Sequence, residues 1–156
     1  MALHAIKNYV PLEPWLATAG QPSEAELRDV ATEGFEVVVN LGLLDPRYCL
    51  ADEAASVHAL GLGYHHVPVD FQAPTLDAFE RFRAILRAVR EKKTFVHCAA
   101  NYRVSCFIAL YGEAELGWSR AQADAHIARV WAPNETWLAF LAAVRSTMRA
   151  SSGGQP

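Results

Sequence analysis

Residues 94–110, TFVHCAANYRVSCFIAL, decide the fold, because they predict a short buried strand, a loop and an apolar helix in direct succession. The strand covers 94–97 and the helix runs from about Arg103 to Leu116. One cysteine, Cys98, therefore stands where a strand turns into a helix. Unpaired N–H groups and the partial positive charge at a helix N-terminus attract anions and favour the nucleophilic thiolate form of a cysteine. The stretch predicts a reactive cysteine in an anion-binding loop.

The residues around Cys98 complete this predicted site. Arg103 lies five positions after Cys98 and offers a planar fork of donors to an oxyanion held over the sulfur. His97 is expected to be a buried histidine that hydrogen-bonds the backbone and fixes the loop. Cys106 lies on the apolar helix and is expected to be a small core residue. The residues expected to bind the substrate are Ala99, Ala100, Asn101, Tyr102 and Ser105.

Helices and strands alternate along the chain before this stretch. Ser23 and Glu26 form a capping box, which predicts a first helix that ends at Gly34. Pro68 predicts that its extended segment lies at a sheet edge or ends there. The other predicted elements are a strand over 35–40, a helix over 52–60, an extended segment over 64–70, a helix over about 75–92, and helices that begin near Ser119 and Asn134. This alternation predicts an α/β layered domain with a mostly parallel central sheet of four to five strands, flanked by helices, and with functional residues at the carboxyl ends of strands.

Composition and charge narrow the classes of function. The chain has 156 residues, of which 52% are apolar and 20% charged, as is typical of one compact domain. We expect that domain to cover residues 1–150 and residues 151–156, SSGGQP, to form a flexible tail. A formal charge of −3 argues against nucleic acid or an anionic membrane as a partner. No apolar run approaches the roughly 18 residues of a membrane span, and no signal peptide is evident, so we expect a cytoplasmic protein.

The cysteines and histidines do not indicate a metal site. Cys49, Cys98 and Cys106 are an odd number without CxxC spacing, which favours free thiols over a disulfide framework or a zinc site. His65 and His66 would point to opposite faces of an extended segment, which weakens their interpretation as paired metal ligands. We therefore expect neither a metal nor a cofactor.

The His97-Cys98 pair and Arg103 resemble the signature of the cysteine-dependent phosphatases, the superfamily of tyrosine and dual-specificity phosphatases, which is His-Cys, five residues and Arg. Only four residues separate Cys98 from Arg103 here. This spacing is more similar to that of the bacterial beta-lactamase-hydrolase-like phosphatases, whose loop carries a glycine two positions before the arginine. Asn101 occupies that position, and asparagine is among the residues that best tolerate a positive φ.

The resemblance extends over roughly residues 10–145 and implies a phosphotyrosine-phosphatase-like fold. The hydroxyl residue that follows the arginine in the family is displaced by one position, to Ser105. The upstream stretches that are similar to family landmarks are 19–23, 38–42 and 66–75. Within the last of these, Asp70 lies 28 residues before Cys98, at the end of an extended segment, where such phosphatases carry their general acid.

The mechanism that the resemblance implies has two steps. Cys98 attacks phosphorus while Asp70 protonates the leaving oxygen, and Asp70 then acts as the base that activates water against the phosphocysteine. Arg103 and the loop N–H groups hold the equatorial oxygens, and no metal is required. Asp77 is the alternative acid, although its place in the first turn of a helix is better explained by the helix dipole.

Two other functions stay open. The first is a rhodanese-like sulfurtransferase, whose family also uses a cysteine loop of this shorter length, and the second is a non-catalytic phosphate-binding module. Asp70 favours phosphate ester cleavage, because a leaving alkoxide or phenoxide needs a proton whereas a thiolate acceptor of sulfur does not. The expected partner is a phosphorylated substrate, either a protein or a small molecule, and its identity and the oligomeric state stay open. Arg47 and Tyr48 are candidates for the mouth of a substrate site, although a solvated loop is the favoured interpretation of their segment.

Overall fold

A computed structural model describes residues 2–153 of the chain, and the side chains of residues 3–150. A 3₁₀ turn over Ala2–Ala5 precedes the regular elements. The strands are β1 (Val10–Glu13), β2 (Leu16–Ala19), β3 (Val37–Asn40), β4 (Gly63–His66) and β5 (Thr94–His97). The helices are α1 (Glu24–Thr32), α2 (Glu53–Ala59), α3 (Leu76–Ala88), α4 (Tyr102–Glu115), α5 (Arg120–Ala128) and α6 (Glu135–Gly153).

The five strands form one sheet in the order β1-β2-β5-β3-β4. Strands β2, β5, β3 and β4 are parallel, and only β1 pairs antiparallel, with β2 at one edge. The predicted α/β class with a mostly parallel sheet is therefore confirmed. Strand β4 lies at the other edge and ends two residues before Pro68, which agrees with the expectation from that proline.

Both faces of the sheet are covered, as parallel sheets require. Successive side chains of β5 point to opposite faces, so Phe95 and Val96 belong to two different hydrophobic clusters. The cluster that contains Val96 includes residues of α3, α4 and α6, and the cluster that contains Phe95 includes residues of α1 and α2. On the first side the Phe107 ring packs edge-on against Phe79 and Phe82 at centroid distances of 5.7 and 5.5 Å.

Local capping signals fix several helix boundaries. Both hydrogen bonds of the predicted capping box are present between Ser23 and Glu26, and a second box joins Ser119 to Gln122. The predicted helix over 75–92 was too long, because α3 ends at Ala88 and the chain then turns with a Lys92 N–H to Val89 carbonyl bond.

The remaining differences concern the two ends of the chain and the edge of the sheet. Strands β1 and β2 were not predicted, and the extended segment over 64–70 contributes only its first residues to β4. Helix α6 continues to Gly153, three residues past the expected end of the domain, and residues 154–156 of the expected tail lie outside the described residues. No helix within residues 2–153 has both the length and the apolarity that a membrane span needs.

Candidate active site

Cys98 lies at the carboxyl end of the central strand. Strand β5 ends at His97, α4 begins at Tyr102, and the four residues between them form the loop predicted from the sequence. Cys98 is fully buried, is not in a disulfide, and its N–H donates to the Ala19 carbonyl at 3.4 Å. Because β5 lies between β2 and β3, the loop lies at the carboxyl ends of the central strands, where α/β folds place their ligands.

The loop closes through a left-handed residue. Asn101, the N-cap of α4, has a φ of 69°, which confirms the expectation that it replaces a glycine there. Its Nδ2 donates to the Asn8 carbonyl at 2.9 Å and to the Thr18 Oγ1 at 3.2 Å. Asn8 also has a positive φ, 51°, and its Nδ2 donates to the Ala100 carbonyl at 2.8 Å. Two asparagines thus fasten the loop to the segment that precedes β1.

The loop also rests on Gly20. A Cβ at this position would lie 2.6 Å from the Ala99 carbonyl oxygen and 3.1 Å from the Ala100 Cα, so no larger residue fits without moving the loop. The next residue, Gln21, donates its backbone N–H to the Ala99 carbonyl at 3.0 Å. The sequence identified the stretch 19–23 only through its resemblance to a family landmark, whereas its physical role is to support the reactive loop.

Arg103 is buried in the first turn of α4, with 5% of its surface exposed. Its Nη1 donates to the Val69 carbonyl at 2.8 Å and its Nη2 to the Tyr48 Oη at 3.4 Å. The rings of Tyr48 and Phe71 each lie 5.9 Å from the guanidinium carbon. The Nε is buried and has no hydrogen-bond partner among the described residues. The guanidinium is therefore oriented by its neighbours and keeps a buried donor for an anion.

Tyr48 lies beside Arg103, although the sequence analysis favoured a solvated loop over a place for it at the mouth of the site. The Tyr48 Oη accepts the Leu43 N–H at 2.9 Å and faces Arg103. Arg47, beside it, is exposed and pairs only with Asp45. The contact between Tyr48 and Arg103 joins residues 55 positions apart, so no local pattern could reveal it.

His97 is fully buried and paired with an acidic residue. Its Nε2 lies 2.6 Å from the Glu53 Oε2, and its Nδ1 lies 3.2 Å from the Cys98 carbonyl oxygen. The other oxygen of Glu53 accepts from the Gln21 Nε2 at 2.8 Å. Burial acts to raise the pKa of Glu53, but the hydrogen bond and charge of His97, together with Gln21, lower it below its ordinary value. Glu53 is thus a buried carboxylate that is connected to the loop through the side chain of His97.

Asp70 lies on the loop that follows β4. The residue before it, Val69, accepts the Arg103 bond and donates its own N–H to the Leu41 carbonyl at 3.0 Å. Asp70 is exposed, and its Oδ1 accepts the Gln72 N–H at 2.9 Å, which organises a turn. The structure thus puts Asp70 next to a residue in contact with Arg103, whereas Asp77, the alternative acid, lies in the first turn of α3.

Ser105 supports the loop from inside α4. Its Oγ donates to the Tyr102 carbonyl at 2.7 Å and accepts the Trp131 Nε1–H at 3.0 Å. The rings of Tyr102 and Trp131 are parallel, with centroids 4.5 Å apart. Among the described residues the Ser105 hydroxyl has no hydrogen bond to Cys98, so its expected contact with substrate stays a prediction.

A cleft of about 380 Å³ borders the loop at Ala99. Its lining includes Lys7, Gln21, Tyr48 and Leu50. Gln21 contacts the loop at Ala99, and Tyr48 contacts Arg103. The cleft therefore adjoins the candidate anion site and offers room for the rest of a substrate. No group of three potential metal-ligating side chains lies together anywhere in the described part of the chain.

Solved structures similar to this one cover nearly its whole length. A "Putative phosphatase (DUF442)" from Shewanella putrefaciens CN-32 is 30% identical, covers 94% of this chain and 97% of its own, and superimposes with a TM-score of 0.83. Tk-PTP in its active form is 22% identical over 89% of this chain and 97% of its own, with a TM-score of 0.77. Pseudomonas aeruginosa TpbA is 18% identical over 94% and 91%, with a TM-score of 0.73. Tk-PTP and TpbA share the fold of this chain. Neither protein-family models nor curated proteins gave a match.

Proposed function

Because this chain belongs to the DUF442 family, whose fold is that of the protein tyrosine phosphatases, we propose that it hydrolyses a phosphate monoester through a phosphocysteine intermediate. The observation that carries this proposal is the buried Nε of Arg103, which has no hydrogen-bond partner among the described residues. Arg103 lies five positions after Cys98, whose buried thiol is free. A donor left unpaired in the interior costs free energy, and a bound oxyanion would satisfy it.

In the first step the Cys98 sulfur attacks phosphorus, an S–P bond forms, and the bond to the leaving oxygen breaks. Arg103 and the N–H groups of the loop, from Ala99 to Tyr102, hold the equatorial oxygens in a site formed before substrate arrives. Asp70 gives its proton to the leaving oxygen, which departs as an alcohol or phenol.

In the second step water attacks the phosphocysteine. Asp70, now a carboxylate, accepts a proton from that water, and the S–P bond breaks to release inorganic phosphate and the thiolate. The support for Asp70 in both roles is its position one residue past Val69, which Arg103 contacts. Its exposure allows proton exchange with solvent between turnovers.

The substrate is proposed to be a phosphorylated protein or small molecule. Among the structures that share the fold, one of P. aeruginosa TpbA is in complex with pTyr and one of PTPMT1 is in complex with PI(5)P. Both ligands carry a phosphate monoester on a hydroxyl group of a six-membered carbon ring. Phosphate release from phosphotyrosine, phosphoserine and phosphoinositide substrates, measured separately from the general test below, would decide between tyrosine and dual specificity.

Hydrolysis of p-nitrophenyl phosphate from pH 5 to 8 tests the proposal, with Cys98→Ser as the inactive variant and Cys49→Ser as the matched control. We expect turnover by the wild type and by Cys49→Ser, and none by Cys98→Ser. Sulfur transfer from thiosulfate to cyanide without ester hydrolysis would identify a sulfurtransferase instead. Binding of phosphate without hydrolysis at any pH in this range would identify a non-catalytic module.

A further inference from the structure

The Glu53–His97 pair lies behind the reactive loop, on the side away from solvent. The side chain of His97 is fully buried and that of Glu53 is 3% exposed. Glu53 is the first residue of α2, and 44 residues separate it from His97 in sequence. A buried ion pair is weak evidence for stability, because removing both groups from water costs about as much as their attraction returns. The pair therefore invites a functional explanation.

The partners of the two His97 ring nitrogens limit where its protons can lie. A neutral imidazole carries one N–H, so only one ring nitrogen can donate. Here both nitrogens face acceptors, since Nε2 faces the Glu53 carboxylate and Nδ1 faces the Cys98 carbonyl oxygen. A ring with one proton would set a lone pair against one of these oxygens. Only the imidazolium donates to both, and the lowered pKa of Glu53 keeps its partner ionised.

Gln21 connects this pair to the loop by a second route. Its side chain donates to Glu53, while its backbone N–H donates to the Ala99 carbonyl. The Cys98 carbonyl belongs to the Cys98–Ala99 peptide and the Ala99 carbonyl to the Ala99–Ala100 peptide, so both peptides are held by their oxygens. Because the C=O and N–H of a trans peptide point in opposite directions, the N–H groups of Ala99 and Ala100 then point away from Glu53 and Gln21, where they can donate to a bound oxyanion.

We infer that Glu53 is a positioning residue, which acts through His97 to hold a positive charge and a fixed donor at the backbone carbonyl of Cys98. The inference rests on the proposed function, because it assigns Glu53 to the reactivity of the nucleophile. Glu53 itself does not touch the substrate. The ring of His97, and not the Glu53 carboxylate, contacts Cys98, so the positive end of the pair is the one nearer the loop. This arrangement favours the thiolate over the thiol, and its removal leaves that form less populated at neutral pH.

The other titratable groups that face the pair lie on neighbouring elements. His66 and Tyr64 on β4 both interact electrostatically with Glu53. His66 bonds the Gly42 carbonyl at 2.6 Å, and the Tyr64 Oη accepts from the Asn40 Nδ2 at 3.1 Å. Neither group donates to the Cys98 carbonyl, so neither replaces His97 behind the loop.

The pH dependence of Cys98 alkylation by iodoacetamide tests the inference. Glu53→Gln keeps the size and an acceptor for Nε2 but removes the charge, so we expect the midpoint of the alkylation profile to rise by about one pH unit. Glu113→Gln is the matched control, because Glu113 also forms a half-buried ion pair, with Arg145 at 2.7 Å, away from the loop. We expect the Glu113→Gln profile to coincide with that of the wild type. An unchanged profile in folded Glu53→Gln protein overturns the inference.

A second measurement needs no variant to fold. The ¹⁵N signals of the His97 ring in wild-type protein report directly whether each nitrogen carries a proton, and we expect both to be protonated at pH 7. A ring with only one protonated nitrogen, whichever it is, overturns the inference. Neither readout requires turnover, so a protein that hydrolyses no ester but shows both effects would refute the phosphatase proposal and leave the role of Glu53 intact.

Discussion

The Nη1 of Arg103 donates to the backbone carbonyl of Val69 at 2.8 Å, although the two residues are 34 positions apart. This bond joins the helix that follows the reactive cysteine to the loop that carries Asp70. The proposed anion-binding group and the candidate acid are therefore placed relative to each other by one buried contact. A change at Arg103 is expected to disturb both of them.

Arg103→Lys tests the importance of the planar donor group. Lysine keeps the positive charge but cannot donate to Val69 and to an oxyanion with the same geometry. We expect kcat for p-nitrophenyl phosphate to fall by about 10²–10³-fold, as when a preorganised donor to the transition state is removed. Arg83→Lys is the control. Arg83, on α3, pairs with Glu115 at the end of α4 at 2.6 Å, so we expect this variant to keep full activity. Equal losses in both variants would contradict a specific role for Arg103.

Asp70→Asn separates proton transfer from turn formation. The amide oxygen still accepts the Gln72 N–H, so the turn is retained while the exchangeable acid is lost. Phenyl phosphate releases phenoxide, which is a poor leaving group. We expect kcat for this substrate to fall by about 10²–10⁴-fold. The loss should be smaller for p-nitrophenyl phosphate, whose leaving group needs less protonation. If Asp77→Asn shows this pattern instead, the acid is Asp77.

Gly20→Ala tests the support beneath the loop. The added Cβ would meet the Ala99 carbonyl at 2.6 Å, so the loop has to shift. Because a displacement of about 1 Å costs about 10²-fold in rate, we expect a loss of that order in kcat with little change in the melting temperature. Gly63→Ala is matched, since its Cβ would meet only ordinary contacts at 3.8 Å, and it should remain active. Wild-type activity in Gly20→Ala would show that the loop does not depend on this contact.

The sequence predicted the centre of this site better than its surroundings. Strand β5, the Cys98 loop and helix α4 follow from one apolar segment. The positive φ of Asn101 follows from the glycine that the resembling family carries at this position and from the tolerance of asparagine for that conformation. Strand β2, Leu-Ala-Thr-Ala, was missed because small residues carry little strand propensity. It is a strand because it is buried between β1 and β5.

Long-range pairs were beyond local reasoning. An acidic residue in the first turn of a helix is ordinarily explained by the helix dipole, so nothing near Glu53 indicates that its partner is His97. Tyr48 likewise lies in a polar loop whose neighbours suggest exposure. In each case the partner is supplied by a different strand or helix, and only the sheet order brings the two together.

His126 should make the fold sensitive to acid. It is buried in α5 with neither ring nitrogen hydrogen-bonded among the described residues, and burial, with the charge of Arg129, lowers its pKa to about 4. The unfolded chain therefore takes up the proton first as the pH falls, so stability is lost between about pH 6.5 and pH 4.

His126→Leu removes this source of pH dependence. Between pH 7 and pH 4.5 we expect the wild type to lose about 2 kcal/mol more unfolding free energy than His126→Leu, as measured by urea denaturation. His58→Gln, at an exposed position, is expected to behave as the wild type. Parallel losses in wild type and His126→Leu would show that other groups cause the acid sensitivity.

Cys106 should be inert where Cys98 reacts. Burial raises the pKa of the Cys106 thiol to about 12, in spite of hydrogen bonds from Ser105 and Trp131 that lower it. Its thiol therefore stays protonated below that pH, and only the thiolate is alkylated. We expect mass spectrometry after iodoacetamide treatment at pH 8 to find label on Cys98 and none on Cys106. Label on Cys106 in folded protein would contradict its protonated state.

The stacking of Tyr102 on Trp131 places an optical reporter directly beside the Cys98 loop. Tyr102 is the first residue of α4, and its ring lies flat against the Trp131 indole, which is also bound through Ser105. Any rearrangement of the loop alters what surrounds that indole. Intrinsic fluorescence would then follow ligand occupancy in real time, without a dye and in protein that turns nothing over.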